Sequence, residues 1–427
     1  MIIENFNQIA KTEERKLALE IINAGLEAID TKKVIRDTVR REGETLYIGS
    51  ETYLINEVER LFVVGVGKCS LAAGEALEEI LGDLITGGIV IDVREGKLNR
   101  IQAIAGDHPF PSEKNVNATR GIIELLNRVT RKDLVIFIVS GGGSTLLCYP
   151  EAMTCIDETE ILKYLYLAGV GIRDINTVRK HLSTARGGYL AKHVYPARAI
   201  SLIFSDVPGD DLRFVASGPT IKDTTTIEDA KRILLESKLE EKIGIKKLNL
   251  VETPKEDKYF ENIKNILVVS NKIALEAMAN KARSEGFNAE IITAAFEGDA
   301  RDTARGVVER IHSAPAKTVH LYGGESTVMV RHIGKGGRNL ELALVALETV
   351  GEGELIISFA SDGRDNTDFA GAISDMITKV SADKLGLSAE GCVDANCSYD
   401  FFEKTGDFIR TGNTGRNVSD FIVAIKS

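Results

Sequence analysis

The sequence predicts an α/β protein built in two domains. Three observations carry that reading: short, almost wholly apolar runs alternate with helical stretches, Gly-rich or acidic loops follow those runs directly, and a charged stretch lies past the middle of the chain. Near-continuous apolar strands joined by helices imply a parallel sheet covered on both faces. At roughly 150 residues per domain, 427 residues allow two or three domains. With 44% hydrophobic and 27% charged residues the chain can bury a full core, which excludes a disordered or fibrous protein.

Taken in order, residues 11–42 carry Leu17, Ile21, Leu26 and Ile29 at near-helical spacing within a charged segment, so an amphipathic helix opens the chain. A strand over 61–64 (Leu-Phe-Val-Val) leads into Gly65-Val-Gly-Lys-Cys-Ser70, a helix to about 81, and a second strand over 88–92. The pattern recurs where 134–139 runs into Ser140-Gly-Gly-Gly-Ser-Thr145 and where 199–204 runs into Ser205-Asp-Val-Pro-Gly-Asp-Asp211. The Lys/Glu-rich stretch from about 226 to 262 reads as the join, giving domains 1–262 and 263–427. Beyond it, strands over 266–269, 289–292, 318–322 and 354–359 alternate with helices, and an apolar strand closes the chain. No fixed-period repeat is present, so the chain is not a solenoid.

Lys and Arg number 53 and Asp and Glu 63, a net charge of −10 that repels nucleic acid and anionic membranes. Charges at Glu13, Glu14, Arg15 and Lys16 arrive too early for a signal peptide, and no apolar run approaches ~18 residues, so the expectation is a soluble cytoplasmic protein. Five scattered cysteines without a Cys-x-x-Cys pair read as reduced, mostly buried thiols. The 39 glycines are a mild excess whose meaning lies in their clustering at strand ends.

Ligands of open parallel sheets bind beyond the carboxyl ends of the strands, where loops meet helix N-termini. The loop 65–70 fails the Walker pattern at Phe62 and Cys69 and the dinucleotide fingerprint at Ser70, although Asp92 stands where a ribose contact would be. Gly67 and Lys68 still suit an anion, the alternative being a solvated loop lysine. Ser140, Gly141, Gly142, Gly143 and Ser144 let the backbone approach a ligand closely, or form only a tight strand–helix turn. A nucleophile elbow fails there because Leu146 and Ile138 stand where glycines are required. Asp206, Asp210 and Asp211 share one loop, suited to magnesium or to proton abstraction, or to an Asx turn and solvated charge. Arg179 and Lys180 diverge by about 100° on a helix, and His181 reads as structural. Later come Glu325 in a Gly-Gly-Glu-Ser-Thr run, Arg338 and Asn339 at a Gly-rich helix start suited to a carboxylate or phosphate, and Asp362, Asp365 and Asp368 in one loop. Gly-rich cradles, a Lys, an Arg and acidic loops are the inventory phosphoryl transfer requires.

These stretches resemble the MOFRL-type glycerate kinases. The matches are GVGKCS (65–70), AGDHPFP (105–111), SGGGSTL (140–146), NTVRKHLS (176–183), SDVPGDD (205–211), ASGPT (216–220), GGESTV (323–328), GGRNLE (336–341), SDGRDNTD (361–368) and TGNTGRNVSD (411–420). The resemblance implies transfer of the ATP γ-phosphate to the 2-hydroxyl of D-glycerate. It also implies a larger Rossmann-like N-terminal domain, a smaller C-terminal α/β domain and an active site in the cleft between them. It assigns Lys68, Asp206 and Arg338 as catalytic residues. Gly67, Ser140 to Ser144, Arg179, Glu325, Asn339 and Asp362 are expected at substrate or phosphate, and Asp210 at Mg2+ or another divalent cation. ATP and D-glycerate are the expected partners, with a second copy of the chain as a candidate. The sequence departs from the family pattern at Leu340 (usually Gln), at Asn366 in a shortened acidic loop, at Asn413 and Arg416 (usually Pro and Thr), and at Cys397 (commonly Asp).

Overall fold

The computed structural model describes residues 1–239 and 248–427. They form two compact units, Thr31–Val207 with Asp211–Val268, and Met1–Asp30 with Pro208–Asp210 and Val269–Ser427. The units therefore do not follow a single cut at 262: the first thirty residues join the C-terminal unit, and 263–268 stay with the N-terminal one. Of the charged stretch 226–262, the first part is the helix Ile227–Glu236, while 240–247 lie outside the described residues.

The opening helix is shorter than its apolar spacing predicts. It runs Glu13–Ala28, capped by the Thr12 side chain, and is followed by a second helix Thr31–Thr38. A three-stranded meander then occupies β1 (Val39–Glu42), β2 (Thr45–Ile48) and β3 (Glu51–Leu54), pairing Val39 with Ile48 and Thr45 with Leu54. The charged residues Arg40, Arg41 and Glu42 hide β1 from a hydrophobic-period reading, because all three face solvent.

The main sheet of the N-terminal unit contains β4 (Leu61–Val66), β5 (Ile85–Asp92), β6 (Gln102–Ala105), β7 (Leu134–Ser140), β8 (Arg198–Phe204) and β9 (Ile263–Val269) in the order β6-β5-β4-β7-β8-β9. Strands β6 to β8 pair in parallel throughout. Counted within this sheet the order is 3-2-1-4-5-6, the Rossmann order, which reverses between β4 and β7. All of β7 is buried, because helices cover both of its faces. On one side Val64, Val66, Phe137 and Val139 pack with Ile122 and Leu126 of the helix Glu113–Leu126 and with Leu190 and Val194.

The C-terminal unit is also α/β, but its sheet is mixed. It contains β10 (Asn288–Asp299), β11 (Thr318–Thr327), β12 (Glu354–Ala360), β13 (Gly371–Asp375), β14 (Phe408–Ile409) and β15 (Asp420–Lys426) in the order β10-β11-β15-β12-β13-β14. Only β10 and β11 are parallel; the final strand inserts antiparallel between β11 and β12, so Val423 pairs with both Leu321 and Ile357. The helix Glu13–Ala28 packs on the helix Asn271–Ser284, and Gly25 leaves room for Met278. Arg15, fully buried, pins this helix to the unit. Its Nε and Nη2 donate to Asp375 at 2.6 Å each and its Nη1 to Asp407 at 2.7 Å.

Among the described residues no helix is long and apolar enough to cross a membrane. All five cysteines are free thiols; Cys69, Cys148 and Cys155 are buried, Cys392 and Cys397 partly so.

Candidate functional site

The N-terminal sheet places its ligand-type loops where the strand order reverses. Val66 lies beside Val139, and Ser140 beside Phe204, so the loops after β4, β7 and β8 leave the sheet side by side. Hydrogen bonds tie the first of these loops to β5 and to the loop after β7: Gly67 N donates to Ile91 O at 3.1 Å, Lys68 N to Gly141 O at 3.0 Å, and Cys69 N to Ser140 Oγ at 3.4 Å. Gly67 holds φ at +123°, and a Cβ there would lie 2.0 Å from Ser140 Oγ. The helix Ser70–Leu81 starts immediately behind, presenting its N-terminus to the loop.

The glycine turn is the meeting point of two predicted residues. A Cβ at 141 would stand 2.0 Å from Asp206 Oδ2, and one at 142 only 3.1 Å from the aliphatic stem of Lys68. Lys68 is exposed and Asp206 half-buried. Burial pushes the Asp206 carboxyl above its ordinary range, with a backbone hydrogen bond and the Lys68 charge pulling the other way. A basic carboxylate beside an ammonium, on a turn without side chains, is equipped to take a proton from a hydroxyl while the cation holds an anion.

Ser144 extends the cradle. Its Oγ lies 2.9 Å from Ser217 Oγ, which donates onward to Asn176 Oδ1 at 2.7 Å. Ala216 and Ser217 hold φ at +50° and +61°, a left-handed backbone that costs on the order of 1 kcal/mol or more per residue away from glycine. Gly143 admits this strained segment, since a Cβ at 143 would lie 2.5 Å from the Ala216 Cβ.

The remaining candidates of this unit divide. Arg179 lines a cavity that Ser144 also lines. Lys180 is buried in an ion pair with Asp223 at 3.1 Å, and His181 is buried with Nδ1 2.9 Å from Thr177 O, so both are structural. Asp211 turns back on Arg213 at 2.7 Å, and Asp210 sits at the loop tip with φ +55°. Asp92 does not await a ribose: its carboxylate accepts from Leu71 N at 3.0 Å and Arg94 N at 3.1 Å. Cys69 is no nucleophile, since burial pushes its thiol up to about 12.

In the C-terminal unit Arg338 opens the helix Arg338–Thr349 after Gly337, where a Cβ would strike the Asp365 backbone at 2.3 Å. The guanidinium grips Asp420, Nε to Oδ2 at 2.5 Å and Nη2 to Oδ1 at 3.0 Å, and reaches Glu325 at 3.3 Å. Burial alone would lower the Arg338 pKa, but the bonds to Asp420 hold it above the ordinary arginine range. Asn339 is buried, accepting from Ser358 Oγ at 2.6 Å, so it positions the helix start. Asp362 is exposed and accepts from Arg364 N at 3.0 Å. Asp420 is the residue that sequence reasoning missed, and Asp365 was noted there only as one acid of its loop, with Asp362 expected at the ligand in its place. Asp420 begins an apolar strand, and Asp365 accepts from Leu340 N at 2.8 Å across the turn. The only signal for Asp420 was its place at the end of the Thr-Gly-Asn-Thr-Gly-Arg-Asn-Val-Ser-Asp run.

The departures from the family pattern are absorbed locally. Leu340 is fully buried in the unit's core, Arg416 pairs with Asp30, and Asn413 Oδ1 accepts from Gly415 N at 2.9 Å. Asn366 takes the left-handed turn position at φ +56°, and Cys397 stands at the N-cap position of the helix Ser398–Thr405 without a side-chain cap bond.

A Rossmann-ordered sheet with glycine-rich loops at its reversal point, joined to a mixed-sheet unit with an arginine-centred acidic cluster, defines a two-unit α/β protein of the kind suited to small anionic ligands. Comparison with known proteins narrows that class. Residues 17–252 match the family described as Domain of unknown function (DUF4147), and residues 318–420 match the MOFRL family. The chain is 36% identical to the Glycerate 2-kinase of Pyrococcus horikoshii, over 96% of this chain and 97% of that protein. It is 37% identical to a Putative hydroxypyruvate reductase of Agrobacterium vitis, over 84% of this chain and 86% of that protein. The crystal structure of a Glycerate kinase from Thermotoga maritima matches with a TM-score of 0.87 at 33% identity, covering 96% of this chain and 99% of that one. The chain belongs to the MOFRL-type glycerate kinase family.

Proposed function

We propose that the protein is a glycerate 2-kinase, transferring the γ-phosphoryl group of ATP to the 2-hydroxyl of D-glycerate. The observation that carries the reading is the convergence of Lys68 and Asp206 on the Gly141–Gly142 turn. Asp206 Oδ2 orients the glycerate hydroxyl and accepts its proton as the oxygen attacks phosphorus. Lys68 and the backbone N–H groups of the cradle neutralise the anionic oxygens as charge redistributes. Arg338, held by Asp420, contributes a guanidinium for carboxylate or phosphoryl oxygens.

Magnesium in such reactions is held by one or two carboxylates together with the nucleotide phosphates, where it withdraws charge from the transferring group. Among the described residues no three His, Cys, Asp or Glu side chains gather into a metal site of their own. Asp206 and Asp210 fit the lighter requirement as carboxylates of one loop.

The test is purified protein with magnesium, ATP and D-glycerate, the product identified by phosphorus NMR. 2-Phosphoglycerate is expected; 3-phosphoglycerate, or no ATP-dependent product, overturns the reading. A second reading, nicotinamide-dependent reduction of hydroxypyruvate, is favoured by the name of the Agrobacterium vitis relative. The engagement of Asp92 by Leu71 and Arg94 weighs against it, and loss of NADH absorbance with hydroxypyruvate would detect it.

A further inference from the structure

A cavity of about 500 Å3 opens beside the glycine turn, lined by residues of the N-terminal unit alone. Its lining holds two groups of different chemistry. One is polar: Ser144, Glu158, Arg179 and Arg186. The carboxylate is taken by one of the two guanidiniums: Arg186 Nη1 donates to Glu158 Oε1 at 2.6 Å, with both residues buried, and Glu158 Oε2 accepts from Cys148 Sγ at 3.6 Å. No ion pair or hydrogen bond engages the Arg179 guanidinium among the described residues. Burial, and then the nearby Arg186 charge, push Arg179 down to about 10, the mark of a cation short of a counter-charge.

The other group is apolar and wet: Phe110, Tyr166, Leu167 and Ile172 are exposed by 51%, 74%, 83% and 67%, with Lys163 Nζ 3.8 Å from the centre of the Phe110 ring. Large apolar side chains left in water around one opening are the usual mark of a surface that a ligand covers. D-Glycerate is too small and too polar to meet such a wall. A ligand that suits both groups has a flat heteroaromatic body and an anionic tail.

We propose that this cavity holds the adenosine end of the nucleotide, with base and ribose against Phe110, Tyr166 and Ile172 and the phosphate chain running past Arg179 and Ser144 toward the glycine turn. That path ends where Lys68 and Asp206 meet Gly142 and Gly141. The assignment rests on the reading of ATP as phosphoryl donor.

The test uses ADP titration calorimetry and steady-state kinetics on the full chain, comparing wild type with Tyr166→Ala/Ile172→Ala and with Arg179→Gln. Truncating the two exposed apolar side chains leaves the core intact. Stacking of a base on an aromatic contributes ~1–3 kcal/mol, so the ADP Kd and the KM for ATP should each rise at least about tenfold in both variants. The KM for D-glycerate should stay within about threefold of wild type. Unchanged ADP affinity in the folded variants overturns the assignment, and a rise confined to the glycerate KM gives the cavity to the acceptor instead. Wild-type protein that binds ADP without phosphorylating glycerate would defeat the kinase reading alone, and the ADP titrations would still decide the cavity.

Discussion

Lys68 and Arg338 occupy opposite electrostatic settings. Lys68 is exposed, lies along a glycine turn, and makes no ion pair among the described residues. Arg338 is half-buried and already clamped by Asp420 and Glu325. A cation left open on a backbone cradle is ready to bind an anion without giving up a partner. A clamped arginine must share its fork, and it also holds together acids that would otherwise repel. Arg15 marks the extreme of the clamped setting, wholly buried between Asp375 and Asp407.

The largest expected effect lies at that extreme. Arg15→Met leaves Asp375 without its cation and Asp407 with Lys11 alone, and breaking a buried pair in this way costs about 3–5 kcal/mol. Urea unfolding should register that loss, and a stability near wild type would show that Arg15 does not hold these acids in place. Next come Lys68→Ala, Asp206→Asn and Arg338→Ala, each expected to lower kcat/KM at least about a hundredfold, or ~2.7 kcal/mol. They should separate in thermal melts. Arg338→Ala uncovers Asp420 and should lose several degrees, whereas Lys68→Ala should melt with wild type. Equal melting of the two variants would mean that Asp420 does not depend on Arg338 for its counter-charge. A smaller effect tests the cradle itself. Gly141→Ala drives a methyl toward the Asp206 carboxylate, which would start 2.0 Å away, so kcat should fall by about tenfold or more while the fold persists. Normal turnover would show that Asp206 works from another position.

What was legible in the sequence follows the same division. In the N-terminal unit β4, β7 and β8 stood out because burial on both faces makes them continuously apolar, and the loops after them drew attention through glycine and charge. The side-by-side exit of those loops was not legible, since it depends on strand order. In the C-terminal unit apolar runs located β11, β12 and β15, but an apolar run carries no direction, so the largely antiparallel pairing was missed. The clamp on Arg338 joins residues 82 positions apart, which no local pattern reports. The packing of the first thirty residues with the C-terminal unit was hidden for a similar reason, because an amphipathic stripe does not say what covers it.

Asp365 gives the finest probe of the clamped cluster. Burial pushes its carboxyl up to about 6, while the backbone N–H groups of Leu340 and Asn339 pull it down, Asp420 raises it and Arg338 lowers it. In the unfolded chain an aspartate titrates near ~3.9. Between those values the folded state binds more protons than the unfolded state, so this group's contribution is full below the unfolded pKa and declines as pH rises through the folded one. Asp375 works in the opposite sense, since Arg15 and Thr378 outweigh the burial that would raise it. The total pH dependence therefore mixes both, and the Asp365 share has to be read as a difference. Asp365→Asn cannot ionise, so its stability relative to wild type should rise from pH 4 to pH 7, by on the order of 1 kcal/mol in urea unfolding. A difference that stays flat would mean that Asp365 is ionised across the range, with Arg338 rather than burial controlling the acids around it.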